Sequence, residues 1–315
     1  MYNIVEKRRW YFLLSMLIIL PGIVAMIYST VEFGSPVLLG VDFDSGSKFV
    51  LKLEGPASED AIRGVYEGNG LNNPNVTRLG DVAENIWQVR TKFVQSDTAE
   101  AILTQLTEEV APVNKAASSV DSVSPAISQE VTRSATIAVV IASALILLFI
   151  VWSFRRVPQA SRYGVCAIAA MLHDILVTMG IMSIMGILFG WEVDALFVTA
   201  MLTVIGFSVQ DTIVVFDRIR ENIPRRRGES FETIANRSLL ETVHRSLATQ
   251  LNAIFVMIAI LLFGGASIKQ FITILLIGLI SGTYSSLFTA VPLLVAWEER
   301  DLTRLFRRRR DKATA

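Results

Sequence analysis

The sequence predicts an α-helical polytopic membrane protein: six transmembrane helices, with a ferredoxin-like α/β domain inserted between helices 1 and 2. Three observations lead there. The 315 residues are 52% hydrophobic, with a mean hydropathy of +0.50, too apolar for an ordinary water-soluble domain. Six apolar runs come near or exceed the ~20 residues that cross ~30 Å of hydrocarbon. Lys and Arg, finally, concentrate in alternate connecting segments, the bias that orients membrane proteins.

The first run, residues 10–28, follows Lys7, Arg8 and Arg9. It is longer than a signal-peptide core and has no A-x-A site before Ser29, so it reads as an uncleaved anchor. Residues 29–132 then form a water-soluble insertion. Within it, residues 47–53 (SKFVLKL) alternate apolar and polar, as a half-buried strand does. Ser58 and Glu59 open a helix over residues 58–69. Strands over residues 76–79 and 86–94 flank a turn near residues 80–85. Ala99, Ile102, Leu103, Leu106 and Val110 recur at helical spacing over residues 97–110, and residues 118–123 supply a last strand. The order β-α-β-β-α-β is the ferredoxin-like split unit. Five further apolar runs follow, at residues 135–152, 163–189, 195–216, 247–263 and 271–295, of which the fourth is the shortest. The chain therefore divides into 1–28 (short tail and helix 1), 29–132 (α/β domain), 133–298 (helices 2–6) and a basic tail at 299–315.

The charges orient this arrangement. Residues 1–9, 153–162, 217–246 and 296–315 hold 3, 3, 7 and 7 Lys or Arg, together 20 of the 29. The insertion 29–132 holds only seven, against fifteen Asp or Glu. Both termini are thus expected in the cytoplasm and the α/β domain outside. The domain's net charge of −8 reads as a solvated surface. One cysteine, Cys166, excludes a disulfide framework. The insertion 29–132 has no metal-ligand spacing, no glycine-rich phosphate loop and no nucleophile with a base partner. No cofactor, nucleic acid or enzymatic reaction is expected.

Function gathers at charges inside apolar runs. Asp211 lies within ALFVTAMLTVIGFSVQDTIVVF, where a carboxylate at helix centre costs roughly 2.5–3.5 kcal/mol on insertion scales. Asp174, preceded by His173, falls about twelve residues into the third run. Arg245 lies with Thr242, Thr249 and Asn252 on one helical face, spaced i, i+3, i+7 and i+10. Asp211 and Arg245 fall at matched depth on antiparallel neighbours, which predicts an ion pair. A carboxylate that alternately meets and leaves an arginine can take up and release a proton, because pairing favours the charged form and desolvation the neutral one. Histidine is the side chain whose ordinary charge change lies near neutral pH, so His173 beside Asp174 extends the same logic to that carboxylate. Against this, Arg245 could snorkel and Asp174 could only hold a neighbouring helix. Gly278, Gly282 and Ser286, with Ser281, Ser285 and Thr289 beside them, read as a close-packing surface. Ser230 opens an amphipathic helix (Phe231, Ile234, Ala235, Leu239) expected to lie along the inner membrane surface.

The run TVIGFSVQDTIVVFDRIREN (residues 203–222) closely resembles the fourth span of the SecF family, membrane subunits of bacterial protein export. GVDFDSG (40–46), HDILVTMG (173–180) and VHRSLATQ (243–250) agree with it. The resemblance covers nearly the whole chain and implies half of a resistance-nodulation-division (RND) transporter architecture. It further implies that the chain works with SecD, using the proton-motive force to help draw unfolded exported polypeptide out of the SecYEG channel. YajC is a further candidate partner, and the bacterial cytoplasmic membrane the location. By this resemblance Asp211 stands at the family's proton-relay aspartate and Arg245 at its functional arginine. The sequence departs from the family at Gln210, at Ser45 and in VSPAIS (123–128), which lacks the glycines of V-G-P-x-x-G.

Two rival classes are set against this. Asp174 and Asp211 could form an intramembrane aspartyl protease, but SVQD stands where G-x-G-D is required. A passive assembly scaffold would tolerate neutralisation of Asp211.

Overall fold

The computed structural model describes residues 3–79, 84–155, 160–226 and 228–298. The turn expected near residues 80–85 falls partly outside them, and the basic tail wholly so. In chain order the elements are α1 (Arg8–Phe33), β1 (Gly46–Lys52), α2 (Glu59–Gly68), β2 (Asn75–Leu79), β3 (Ile86–Thr91), α3 (Ser96–Glu109), β4 (Ser119–Val123), α4 (Pro125–Phe154), α5 (Ala160–Phe189), α6 (Ala195–Arg225), α7 (Phe231–Phe263), α8 (Ala266–Ser285) and α9 (Val291–Glu298). Two compact units result. One is Leu39–Ile137 with Glu192–Ala195; the other holds the described residues of Met1–Leu38, Ala138–Trp191 and Leu196–Ala315.

The first unit is an antiparallel sheet in the order β2-β3-β1-β4, the ferredoxin-like arrangement the alternation predicts. Phe49 pairs with Val89 and Leu51 with Trp87, and these side chains bury against Ile62, Val65 and Tyr66 of α2 and Ile102 and Leu106 of α3. The Ser58 hydroxyl caps α2 by accepting from the Ala61 N–H at 3.3 Å, with Glu59 and Asp60 in the first turn. Tyr66 is fully buried, its ring edge-on to Phe49 at 5.2 Å, and burial pushes its phenol well above the ordinary range. The departures from the family's glycines meet one another here. Gly46 keeps a φ of +139°, and a Cβ there would strike the Thr91 carbonyl. Ser45, at the other position of that pair, instead donates its N–H to the Ser128 hydroxyl at 3.2 Å.

The second unit is helical. Among the described residues, six helices are long and apolar enough to cross a membrane: Val5–Phe33, Pro125–Phe154, Ala160–Phe189, Ala195–Arg225, Phe231–Phe263 and Ile268–Glu298. Parallel α1 and α5 approach closely where Gly22 faces Gly180; a Cβ on either would lie 2.7 Å from the other's Cα. The last span is not uniformly α-helical. A π-turn, Ser286–Ala290, joins α8 to α9, a local widening often found at functional sites.

One expectation is corrected. The amphipathic helix predicted after Ser230 and the span predicted at 247–263 are a single helix, α7, of 33 residues. No glycine or proline interrupts Phe231–Phe263, so nothing ends the helix where its hydropathy changes. At ~1.5 Å per residue α7 is ~50 Å long, well beyond the hydrocarbon thickness. Its polar first half instead pairs with the end of α6.

Candidate functional site

The polar contacts between α6 and α7 keep one antiparallel register. Arg218 Nε meets Glu241 Oε2 at 2.6 Å, and Asn222 Nδ2 donates to Ser238 Oγ at 2.9 Å and to Glu241 Oε2 at 3.0 Å. Two turns deeper, Gln250 Nε2 donates to Asp211 Oδ2 at 2.6 Å. Asp211 is only 4% exposed. The face that α7 turns inward is therefore Thr242, Ser246 and Gln250, all buried, at i, i+4 and i+8.

This register moves Arg245 away from its expected partner. It lies five residues before Gln250, about 7.5 Å along the axis and turned by ~140°, on the exposed side with Thr249 and Asn252. Among the described residues no ion pair joins it to Asp211. The pairing argued from matched depth is thus replaced by an amide–carboxylate hydrogen bond.

Asp174 and His173 sit in a denser cluster. Asp174 is fully buried and accepts from Ser281 Oγ and Ser285 Oγ of α8, each at 2.6 Å. His173 Nδ1 lies 3.1 Å from Asp174 Oδ1, and its Nε2 lies 3.1 Å from Ser15 Oγ on α1. Tyr284 stacks on the imidazole at 5.9 Å and donates its hydroxyl to the Tyr11 carbonyl at 2.8 Å. A buried carboxylate is tolerable in such company because hydrogen-bond donors replace water. The serine residues read from sequence as packing surface do more than pack: two of them hold Asp174.

Serine, histidine and aspartate occur here in the order of a nucleophilic triad. Acyl chemistry also needs free donors for an oxyanion, and Ser15 stands mid-helix, where backbone N–H groups are bonded within α1. What the geometry shows is a continuous hydrogen-bonded row of hydroxyl, imidazole and carboxylate. Asp174 and Asp211 share no hydrogen bond among the described residues, so the shared proton of an aspartyl dyad is not formed. Nor do three His, Cys, Asp or Glu side chains gather into a metal site among those residues.

Sequence reasoning missed Gln250, Ser15 and Tyr284 as site residues. Gln250 was legible as the end of an i, i+4, i+8 polar row. Ser15 stands between Leu14 and Met16 in an apolar stretch of α1, and nothing local marks it.

Comparison with known proteins agrees with this organisation. The family described as "Protein export membrane protein SecD/SecF, C-terminal" matches residues 102–300. The chain is 44% identical to protein translocase subunit SecF of Thermobaculum terrenum and 42% identical to that of Anaerolinea thermophila, over 100% of each chain in both cases. It is 31% identical to protein translocase subunit SecDF of Bacillus subtilis, covering 96% of this chain and 39% of that one. The crystal structure of SecDF from Thermus thermophilus, a translocon-associated membrane protein, superposes with a TM-score of 0.77 at 27% identity. That match covers 95% of this chain and 39% of the other, so the chain spans about two fifths of the fused SecDF proteins.

Proposed function

The chain belongs to the SecD/SecF family of protein-export membrane proteins, and from that premise we propose that it acts as a SecF subunit. With SecD, it couples the proton-motive force to late steps of protein translocation through SecYEG, and unfolded exported polypeptide is the cargo. It is a multi-pass membrane protein. The proposed location is the bacterial cytoplasmic membrane, with both termini inside as the basic residues require. The existence of SecDF relatives supports SecD as a partner.

The observation that carries this reading is Asp211: a buried carboxylate at the middle of α6, held by one neutral amide. A carboxylate so placed gains and loses a proton with the rearrangement of a single hydrogen bond. Arg245, on the opposite side of α7, completes the cycle when α7 turns and slides against α6, the shear by which packed helices switch state. His173 and Asp174 form the second proton-handling group.

Preprotein export in vesicles, measured with and without a proton gradient, tests this. Asp211→Asn keeps size and hydrogen bonding but cannot titrate, so the variant inserts and associates with SecD normally while the gradient-dependent component disappears. Full gradient-dependent export by Asp211→Asn would sink the proposal and leave the passive scaffold standing.

A further inference from the structure

We propose that the Ser208 hydroxyl carries protons between Asp174 and Asp211, making the two carboxylates one unit rather than two independent sites. This rests on the proton-coupled reading above.

The first observation is an unmade bond. Ser208 is 1% exposed, and its Oγ has no hydrogen-bond partner among the described residues. Hydroxyls within a helix usually return to the carbonyl four residues back. On the same helix Thr203 does so to Thr199 at 2.8 Å, and Thr212 to Ser208 at 3.1 Å. Ser208 departs from its neighbours and leaves a buried donor and acceptor free.

Its position gives that hydroxyl two neighbours to serve. Asp211 is three residues further along α6, on the same face and one turn away. Toward the other carboxylate stands Gly282 of α8. A Cβ at Gly282 would lie 3.3 Å from Ser208 Cα and 3.7 Å from Asp174 Oδ2, which places those two atoms within about 7 Å of each other. Glycine lets α8 close onto α6 there, beside the Ser281 and Ser285 hydroxyls that already hold Asp174. A serine hydroxyl and one bridging water span such a gap. The titratable groups around it are Asp174, His173 and Tyr284 on one side and Asp211 on the other.

The step balances without any co-reactant. Protonated Asp174 gives its proton to the bridging water, the water passes one of its own to Ser208 Oγ, and the original Ser208 proton passes to the Asp211 carboxylate. The hydroxyl is regenerated with its proton exchanged. Hydroxyls suit this because one oxygen donates and accepts together.

The test is a mutant cycle in the full chain with SecD, read as gradient-driven export in vesicles and its solvent deuterium isotope effect. Ser208→Ala should lower the gradient-driven rate by about tenfold and raise the isotope effect, a modest share of what general acid–base groups supply. Ser208→Thr keeps the hydroxyl and should restore most of the rate. Gly282→Ala pushes α8 away from Ser208 and should resemble Ser208→Ala. Asp174→Asn should also lower the rate, and adding Ser208→Ala to it should cost nothing further, because both interrupt one path. Where alanine impairs insertion, Ser208→Cys, of similar volume but poorer hydrogen bonding, takes its place. Unchanged export in Ser208→Ala, or independent additive losses in the double variant, would overturn the inference. Asp211→Asn run alongside separates the failures: if it is inactive while Ser208→Ala is normal, only the link fails, and if it is fully active, the underlying reading fails as well.

Discussion

Asp174 and Asp211 are both buried acids on long apolar helices, yet they are held very differently. Asp174 has two serine hydroxyls at 2.6 Å and an imidazole at 3.1 Å, drawn from α8 and its own neighbour. Asp211 has one amide, from α7. Losing a partner costs Asp174 one of three bonds and changes little; the same loss leaves Asp211 with none. The difference separates a carboxylate that also fastens α5 to α8 from one whose state can follow the movement of a single helix. Burial alone does not mark a group that exchanges protons. On the proposed reading, the number of bonds that must break sets how closely each acid's proton is tied to helix movement, not which of the two can carry one.

The sharpest way to break this comparison is to neutralise each acid in turn. Asp211→Asn should reduce gradient-driven export by about a hundredfold or more, while thermal stability in detergent barely moves. Arg245→Ala should follow closely, and Arg245→Lys should keep partial activity, because lysine preserves the charge but not the planar fork. Asp174→Asn should lose only about tenfold in rate, yet lower stability by about 1–3 kcal/mol, since a paired buried group is disturbed. The double substitution Ser281→Ala with Ser285→Ala should show the smallest export defect of the five and a similar loss of stability, read as an earlier melting transition. A melting temperature that falls further in Asp211→Asn than in Asp174→Asn would reverse the assignment of roles.

Much of this was legible in the sequence, for reasons that also explain the rest. Strand β1 was expected over residues 47–53 and forms at Gly46–Lys52, because alternation and burial agree along it. Helix α2 begins after Ser58, as its cap requires. The six spans follow from hydropathy. Hydropathy does not end a helix, however, and α7 runs on through its polar half because no residue there breaks it. The Asp211–Arg245 pair failed on register: depth counted from the ends of two helices misjudged a contact that Arg218–Glu241 and Asn222–Ser238 set. Polar residues stand on several faces of α7, so spacing alone could not choose Thr242, Ser246 and Gln250 over Thr242, Arg245 and Thr249. Ser281 and Ser285 were ambiguous in kind, since a small hydroxyl serves close packing and hydrogen bonding equally well.

The unbroken length of α6 and α7 has a mechanical consequence. Backbone hydrogen bonds make a helix stiff along its axis, and α6 carries its only proline, Pro224, in its final turn. An axial displacement at Asp211 therefore arrives at Asn222, about 16 Å further on, without attenuation. On the proton-coupled reading proposed above, this half of α6 acts as a pushrod: a change at Asp211 reaches the polar tip along one stiff helix, with no hinge between the two.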